Sequence, residues 1–300
     1  MSNGGGALNG NSAPLAQSAS AQAAIAEITI ADVTVAMDCD GALYWPEERV
    51  LVIADLHLEK GSSFATRGVL LPPYDTAATL ERIAALIARF APRAVIALGD
   101  SFHDRKGPAR IAPADRAALA ELQRGRDWIW IAGNHDPDPA EGVGGSFGGA
   151  LAIGALVFRH EPTGAKGEIA GHLHPVARVA GRGRTVSRRC FASDGARLVM
   201  PAFGAFAGGL NVRHRAFADV FGTFAFTAHL LGEGRLYAIA ASALRGGLSK
   251  PFTLPLADWR QRRTRRGDRR DAGSPASRPG RATSASSVSP TEGNRSQPRQ

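Results

Sequence analysis

Residues 25–257 of this 300-residue chain predict an α/β fold, and three features carry that reading. Short apolar runs of strand length recur along the segment, and stretches with apolar residues at helical spacing separate them. Three of the apolar runs lead straight into clusters of Asp, His and Asn, which places polar chemistry at strand ends.

Ile28 to Val35 alternates apolar and polar residues, as a half-buried strand does. Val50-Leu51-Val52-Ile53-Ala54 is continuously apolar, the pattern of a strand covered on both faces. A helix is expected after Asp75, which would cap it, burying Leu80, Ile83, Ile87 and Phe90 until Pro92 stops it. Ala94-Val95-Ile96-Ala97-Leu98 is the next buried strand, Pro113 to Gln123 a second helix, and Trp128-Ile129-Trp130-Ile131-Ala132 a third strand. That order predicts neighbouring strands whose carboxyl ends share one edge, where open α/β sheets hold ligands and metals. Beyond Gly148 further strands are expected at Ala155 to Arg159, Glu168 to Ala170, Arg197 to Met200 and Arg235 to Ala240.

The flanks differ in kind. Residues 1–24 are Ser-, Gly-, Ala- and Asn-rich and too polar to bury a core, so a disordered leader is expected there. Residues 258–300 hold eleven Arg and four acidic residues, +7 of the chain's net +9, and are expected to be a disordered Arg-rich tail. The tail suits an electrostatic arm for nucleic acid or an ordinary solvated tail, and both readings stand. Residues 25–257 are then close to neutral. Two cysteines, Cys39 and Cys190, exclude a disulfide framework, and no apolar run is long enough to span a bilayer; a cytoplasmic protein without membrane attachment is expected.

Five motifs carry chemistry: Asp55-Leu56-His57, Gly99-Asp100-Ser101-Phe102-His103-Asp104, Gly133-Asn134-His135-Asp136, His160 after Val157-Phe158-Arg159, and Gly171-His172-Leu173-His174. They use six of the eight histidines in the chain, which concentrates metal-binding side chains at strand ends. Residues i and i+2 of an extended segment project to one side, so Asp55 with His57, and His172 with His174, would each converge on one edge. Gly99, Gly133 and Gly171 fit places where backbone must pass close to the site.

Taken together and in this order, the motifs resemble those of the calcineurin-like metallophosphoesterases over about residues 27–245. The resemblance implies a β-sandwich flanked by helices, with a dinuclear metal site at its strand ends. By position it implies that Asp55, His57 and His174 bind one ion, that Asn134, His160 and His172 bind the other, and that Asp100 bridges them. His135 would sit over the substrate phosphate as general acid or charge stabiliser. The commonest family pattern has an Asp where His103 stands, followed here by Asp104, which is expected to orient a ligand histidine. Two divalent ions bring about +4, and two carboxylates with a bridging hydroxide leave about +1, a site that attracts phosphate. The hydroxide would attack phosphorus between the ions. Mixed His and Asp donors suit manganese, with iron or zinc also accommodated.

A finer resemblance lies in Ala42-Leu43-Tyr44-Trp45-Pro46, Ala54-Asp55-Leu56-His57-Leu58-Glu59-Lys60, Met200-Pro201-Ala202-Phe203-Gly204 and Gly208-Gly209-Leu210-Asn211. These are similar to small bacterial phosphoesterases of the PdeM group, associated with a DNA ligase and a helicase in the damage response. That implies a DNA endonuclease or phosphodiesterase. Lys60 and Arg67 could clamp phosphate or be solvated loop charges. Trp128 and Trp130 read as core, while Trp45 stays open between core and base stacking. His214 and His229 read as structural or surface residues, and Pro201 to Gly209 as a segment shaping the rear of the fold, with a substrate role as the alternative. Three functions remain: a DNA phosphodiesterase, a phosphatase on a small nucleotide or sugar phosphate with the same site, and a non-catalytic repair scaffold. The intact donor set argues against the last.

Overall fold

The structure, a computed structural model, describes residues 24–181 and 184–244. The Arg-rich tail and nearly all of the expected leader lie outside those residues.

Two mixed sheets form the frame. The first runs β1 (Ile25–Ile30), β2 (Val33–Asp38), β3 (Leu43–Trp45), β4 (Val50–Ile53), β5 (Ala94–Leu98), β6 (Asp127–Ile131) and β7 (Ser146–Gly148) in sequence order. It is antiparallel from β1 to β4 and parallel from β4 to β7. The second is built from β8 (Ala150–Ile153), β9 (Leu156–Arg159), β10 (Glu168–Ala170), β11 (Pro175–Gly181), β12 (Arg184–Ser193), β13 (Leu198–Val199) and β14 (Leu210–Asn211). Its order is β14-β11-β12-β13-β10-β9-β8. A hairpin of β15 (Thr227–Gly232) and β16 (Arg235–Ala240) joins it through β12.

Strand alternation explains how the layers pack. Val50 and Val52 of β4, with Ile96 and Leu98 of β5, enter an interior shared with Leu156, Phe158, Ile169, Phe191 and Leu198 of the second sheet. Their neighbours Leu51, Ile53, Val95 and Ala97 face the other way. There they meet Leu80, Ile83, Leu86 and Ile87 of one helix and Leu119 of another. These helices belong to the series α1 (Lys60–Ala65), α2 (Asp75–Phe90), α3 (Gly107–Arg110), α4 (Pro113–Gln123) and α5 (Arg215–Phe221). On the far side, Cys190, Ala192 and Val199 pack against Phe217 and Val220 of α5. The result is the expected α/β sandwich flanked by helices. Trp128 and Trp130 are core, and Trp45 is resolved as core as well.

Some expectations need correction. Ile28 to Val35 is not one strand but a hairpin, because Ala31 and Asp32 adopt φ of 47° and 72°, as tight primed turns require. Asp75 does not cap α2; Tyr74 holds that position, and the Asp75 carboxylate accepts the Gly61 N–H at 3.1 Å. The helix stops at Phe90 with Ala91 in the left-handed region, just before Pro92. Elements α1, α3, α5, β3, β7, β8, β11, β12, β14 and β15 were not expected individually.

Ile96 is fully buried at the centre of the sandwich. Ile96→Ala is expected to cost about 2–5 kcal/mol of unfolding free energy through lost burial and the cavity it leaves. Urea denaturation checks this; a change below about 0.5 kcal/mol, typical of surface sites, would contradict the placement.

Candidate metal centre

Five strand ends from the two sheets deliver the polar motifs. Asp55 follows β4, Asp100 follows β5, Asn134 follows β6, His160 follows β9 and His172 follows β10. The local backbone is not extended there. Asp55, His57, Asp100, His172 and His174 have φ of 53°, 45°, 45°, 68° and 45°. Convergence of the paired ligands therefore comes from left-handed turns rather than strand alternation, which corrects the expectation from spacing. Such conformations cost about 1–3 kcal/mol each and persist only where neighbours impose them. Here His57 N–H donates to Asp100 O at 2.9 Å and Leu58 N–H to Ser101 O at 2.8 Å, so the first two motif loops hold each other in place.

The donors fall into two groups. In the first, His57 Nε2 lies 3.3 Å from His174 Nε2, and His174 Nε2 lies 3.2 Å from Asp55 Oδ1. In the second, Asn134 Oδ1 is 2.9 Å from His160 Nε2 and 3.0 Å from His172 Nδ1, with those nitrogens 3.1 Å apart. Asp100 reaches both. Its Oδ1 is 3.4 Å from His160 Nε2, and its Oδ2 is 3.9 Å from His57 Nε2. The seven residues read as ligands from the sequence are thus brought together.

The chemistry of the donors suits cations. Asp55 and Asp100 are 0 % and 3 % exposed, and among the described residues neither is paired with Lys or Arg. Two buried carboxylates without a counter-charge are costly. The imidazoles do not supply one readily: His57 is held well below its usual pKa by burial and by the neighbouring His174 and His135. His160 Nδ1 lies 2.9 Å from Leu98 O and must carry the proton that it donates there. Its other nitrogen, Nε2, lies 2.9 Å from the Asn134 carbonyl oxygen, so that the nitrogen left without a proton and the oxygen would be two acceptors facing one another. A divalent cation held by the two would relieve that repulsion, and the Leu98 carbonyl fixes the ring as outer partners of metal-bound histidines do.

His135 sits beside the donors and outside both groups. Its N–H donates to Asp100 Oδ1 at 2.9 Å. Its Nδ1 lies 2.8 Å from His103 O and donates there, which leaves Nε2 facing Asp100 Oδ2 at 3.9 Å. The His103 ring stacks on His135 with centroids 5.4 Å apart and also packs against His57 and Phe64. Burial pulls His103 down to about 4, so it is a neutral imidazole at the rim of the site. Spacing alone did not distinguish this position from a solvent-exposed one.

Asp104 departs from its expected role. Burial opposes its ionisation, but bonds from Arg110 at 2.9 and 2.8 Å and from Lys106 N–H at 2.9 Å hold its carboxyl well below the usual range. Among the described residues its hydrogen bonds reach no histidine. The carboxylate that supports the centre is Asp136, passed over in the motif reading. Its Oδ2 accepts Ser101 N–H at 2.7 Å and Phe102 N–H at 3.0 Å, tying the loop after Asn134 to the loop after Asp100. Burial, reinforced by the Asp100 charge, pushes it up to about 7 against those bonds.

The segment from Pro201 to Gly209 also needs correction, since it abuts the metal loops rather than the rear. Phe203 N–H donates to Ala54 O at 2.8 Å, and Gly204 N–H to Asp55 O at 3.2 Å. Arg189, largely buried, donates to the carbonyls of Ala202 and Gly204 at 3.0 and 2.9 Å. Lys60 Nζ donates to Phe206 O at 3.0 Å. His214 serves structurally, its ring accepting the Ala216 N–H at the start of α5.

Residues 48–191 match the calcineurin-like phosphoesterase family, a span that includes both donor groups. The chain carries a calcineurin-like phosphoesterase domain and is a metal-dependent hydrolase acting on phosphate esters. Among solved structures it is similar to one described as the crystal structure of Pseudomonas putida nuclease MPE, with 28% identity and a TM-score of 0.56. That match covers 72% of this chain and 100% of the other. No curated protein matches the chain.

Gly133 shows how tightly the loops close. A Cβ there would lie 2.1 Å from the Asp100 nitrogen and 2.4 Å from its Oδ1. Gly133→Ala is expected to weaken Mn binding about tenfold or more, the range seen when the supporting shell of a metal site is disturbed. Titration calorimetry with Mn(II), alongside circular dichroism to verify folding, checks this; unchanged affinity would contradict it.

Proposed function

We propose that this chain is a dinuclear-metal phosphodiesterase that cuts DNA, with two manganese ions, or iron or zinc, held as the motifs imply. Asp55, His57 and His174 would hold one ion, Asn134, His160 and His172 the other, and Asp100 would lie between them. The observation that carries the reading is the division of Asp100, whose two oxygens turn to different donor groups. The similarity to a protein described as a nuclease supports a polynucleotide substrate. The similarity of the Ala42–Pro46 and Met200–Asn211 segments to ligase-associated phosphoesterases supports a repair role beside a DNA ligase and a helicase. Two free thiols, Cys39 and Cys190, fit a reducing cytoplasm, and no helix among the described residues is long and apolar enough to cross a membrane.

When bound, the ions supply Lewis acidity that draws in the phosphate and lowers the pKa of water. The chain's own residues do the rest. His135 holds a proton at Nε2, its ring fixed by the bond from Nδ1 to His103 O. The water, having given one proton to solvent, bonds through its oxygen to phosphorus as the bond to the leaving oxygen breaks, and that leaving oxygen takes the His135 proton. The stacked His103 restricts the His135 ring to one orientation.

The test is Mn-dependent hydrolysis of bis-p-nitrophenyl phosphate, p-nitrophenyl phosphate, nicked DNA and single-stranded DNA. Asp100→Ala is expected to remove all activity. His135→Ala is expected to lower DNA cleavage by about 10²–10⁴-fold, the usual contribution of a positioned acid. It should affect the nitrophenyl diester less, since nitrophenolate leaves without a proton. Turnover of the monoester alone would replace the DNA reading with a small-molecule phosphatase, and inactivity with every metal would favour a scaffold.

Removing one donor group tests the assignment separately. His160→Ala is expected to reduce bound Mn from a pair of ions to a single one, measured by plasma emission spectrometry on dialysed protein. Unchanged stoichiometry would contradict the assignment.

A further inference from the structure

Between α1 and α2 the chain makes a loop, Thr66 to Tyr74, that neither the metal site nor the core accounts for. Among the described residues four large hydrophobic side chains are exposed, and two of them are here: Leu70 at 87 % and Tyr74 at 68 %. Arg67, Pro72 and Pro73 are exposed beside them, and Arg67 makes no ion pair among the described residues. Burial of Tyr74 and Leu70 in a core would be the ordinary outcome for such side chains, so their display in one loop calls for a use.

The loop is tied to the metal centre. At its base the Asp75 carboxylate accepts Gly61 N–H at 3.1 Å. Thr76 Oγ1 accepts Glu59 N–H at 2.9 Å and donates to Glu59 Oε1 at 2.9 Å. At its start Arg67 N–H and Val69 N–H both donate to Phe64 O at 3.0 Å, and the Phe64 ring packs on His103 with centroids 5.5 Å apart. Glu59 and Gly61 follow His57 closely in the chain, and four residues span at most about 14 Å. The two prolines restrict the backbone before Tyr74. Tyr74 therefore stands exposed on a loop braced at its base against Glu59 and Gly61, just after His57, and at its start through Phe64 against His103.

We infer that this loop is a strand-guiding subsite, in which Tyr74 stacks on a nucleobase flanking the scissile phosphodiester and Arg67 holds a neighbouring phosphate. The inference rests on the DNA phosphodiesterase reading and extends it to named contacts. An exposed aromatic ring and an unpaired guanidinium on one loop match a single strand, whose unpaired bases offer π faces and whose backbone offers negative charge. A duplex keeps its bases stacked on one another and offers Tyr74 no free face.

The test compares wild type, Tyr74→Ala and Tyr74→Phe, all as Mn-loaded full chains, on a single-stranded oligothymidylate and on bis-p-nitrophenyl phosphate. Tyr74→Ala is expected to raise KM for the oligonucleotide about tenfold, within the range measured for loss of one base stack, with kcat little changed. Hydrolysis of bis-p-nitrophenyl phosphate should be unaffected, and Tyr74→Phe, which keeps the ring, should match wild type. Abasic positions beside the cut should cost the wild type the same factor and the Tyr74→Ala variant nothing further. An unchanged oligonucleotide KM in Tyr74→Ala overturns the inference and leaves the DNA reading intact. An equal loss on both substrates also overturns it, since the loop would then serve only to brace the metal centre. If the wild type hydrolyses the nitrophenyl diester but no oligonucleotide, the DNA reading fails and the inference with it.

Discussion

Everything at the centre of this protein depends on keeping two carboxylates out of water. Asp55 and Asp100 are buried among the rings of His57, His135, His160 and His174. Without a positive partner that arrangement would be among the least favourable in the molecule. Divalent ions reverse the balance, and the same charge then draws an anionic ester to the strand ends.

The fold is organised to deliver this arrangement. Parallel strands β4, β5 and β6 end side by side, and β9 and β10 of the second sheet bring His160 and His172 to meet them. A centre assembled from two sheets exists only when both are packed, so the sandwich interior and the metal site support one another. The left-handed residues at five donor positions show where folding energy is stored. Hydrogen bonds between the motif loops, the Asp136 clamp and the Arg189-held segment after Met200 keep those residues in place.

Much of this was legible in the sequence. Strands buried on both faces announce themselves as apolar runs, and ligands announce themselves because metal chemistry admits few side chains. What stayed hidden depends on contacts distant in the chain. The left-handed turns at Asp55 and His57 contain no glycine and arise from pairing with the loop after Leu98. The hairpin at Ala31 and Asp32 lacks the Asn-Gly or Asp-Gly pair that marks such turns. Asp104 and Asp136 are indistinguishable as motif carboxylates until Arg110 is found to bind the first and two backbone amides the second. Pro201 to Gly209 looked remote because its link to the site runs through Arg189 and through Ala54, far away in sequence.

The central claim is that one carboxylate, Asp100, joins two cations. Electron paramagnetic resonance of the Mn(II)-loaded protein tests it most directly, because two ions sharing a carboxylate are magnetically coupled. The account predicts a coupled spectrum in the wild type that reverts to the isolated-ion pattern in Asp100→Ala. An isolated-ion spectrum in the fully loaded wild type would contradict it.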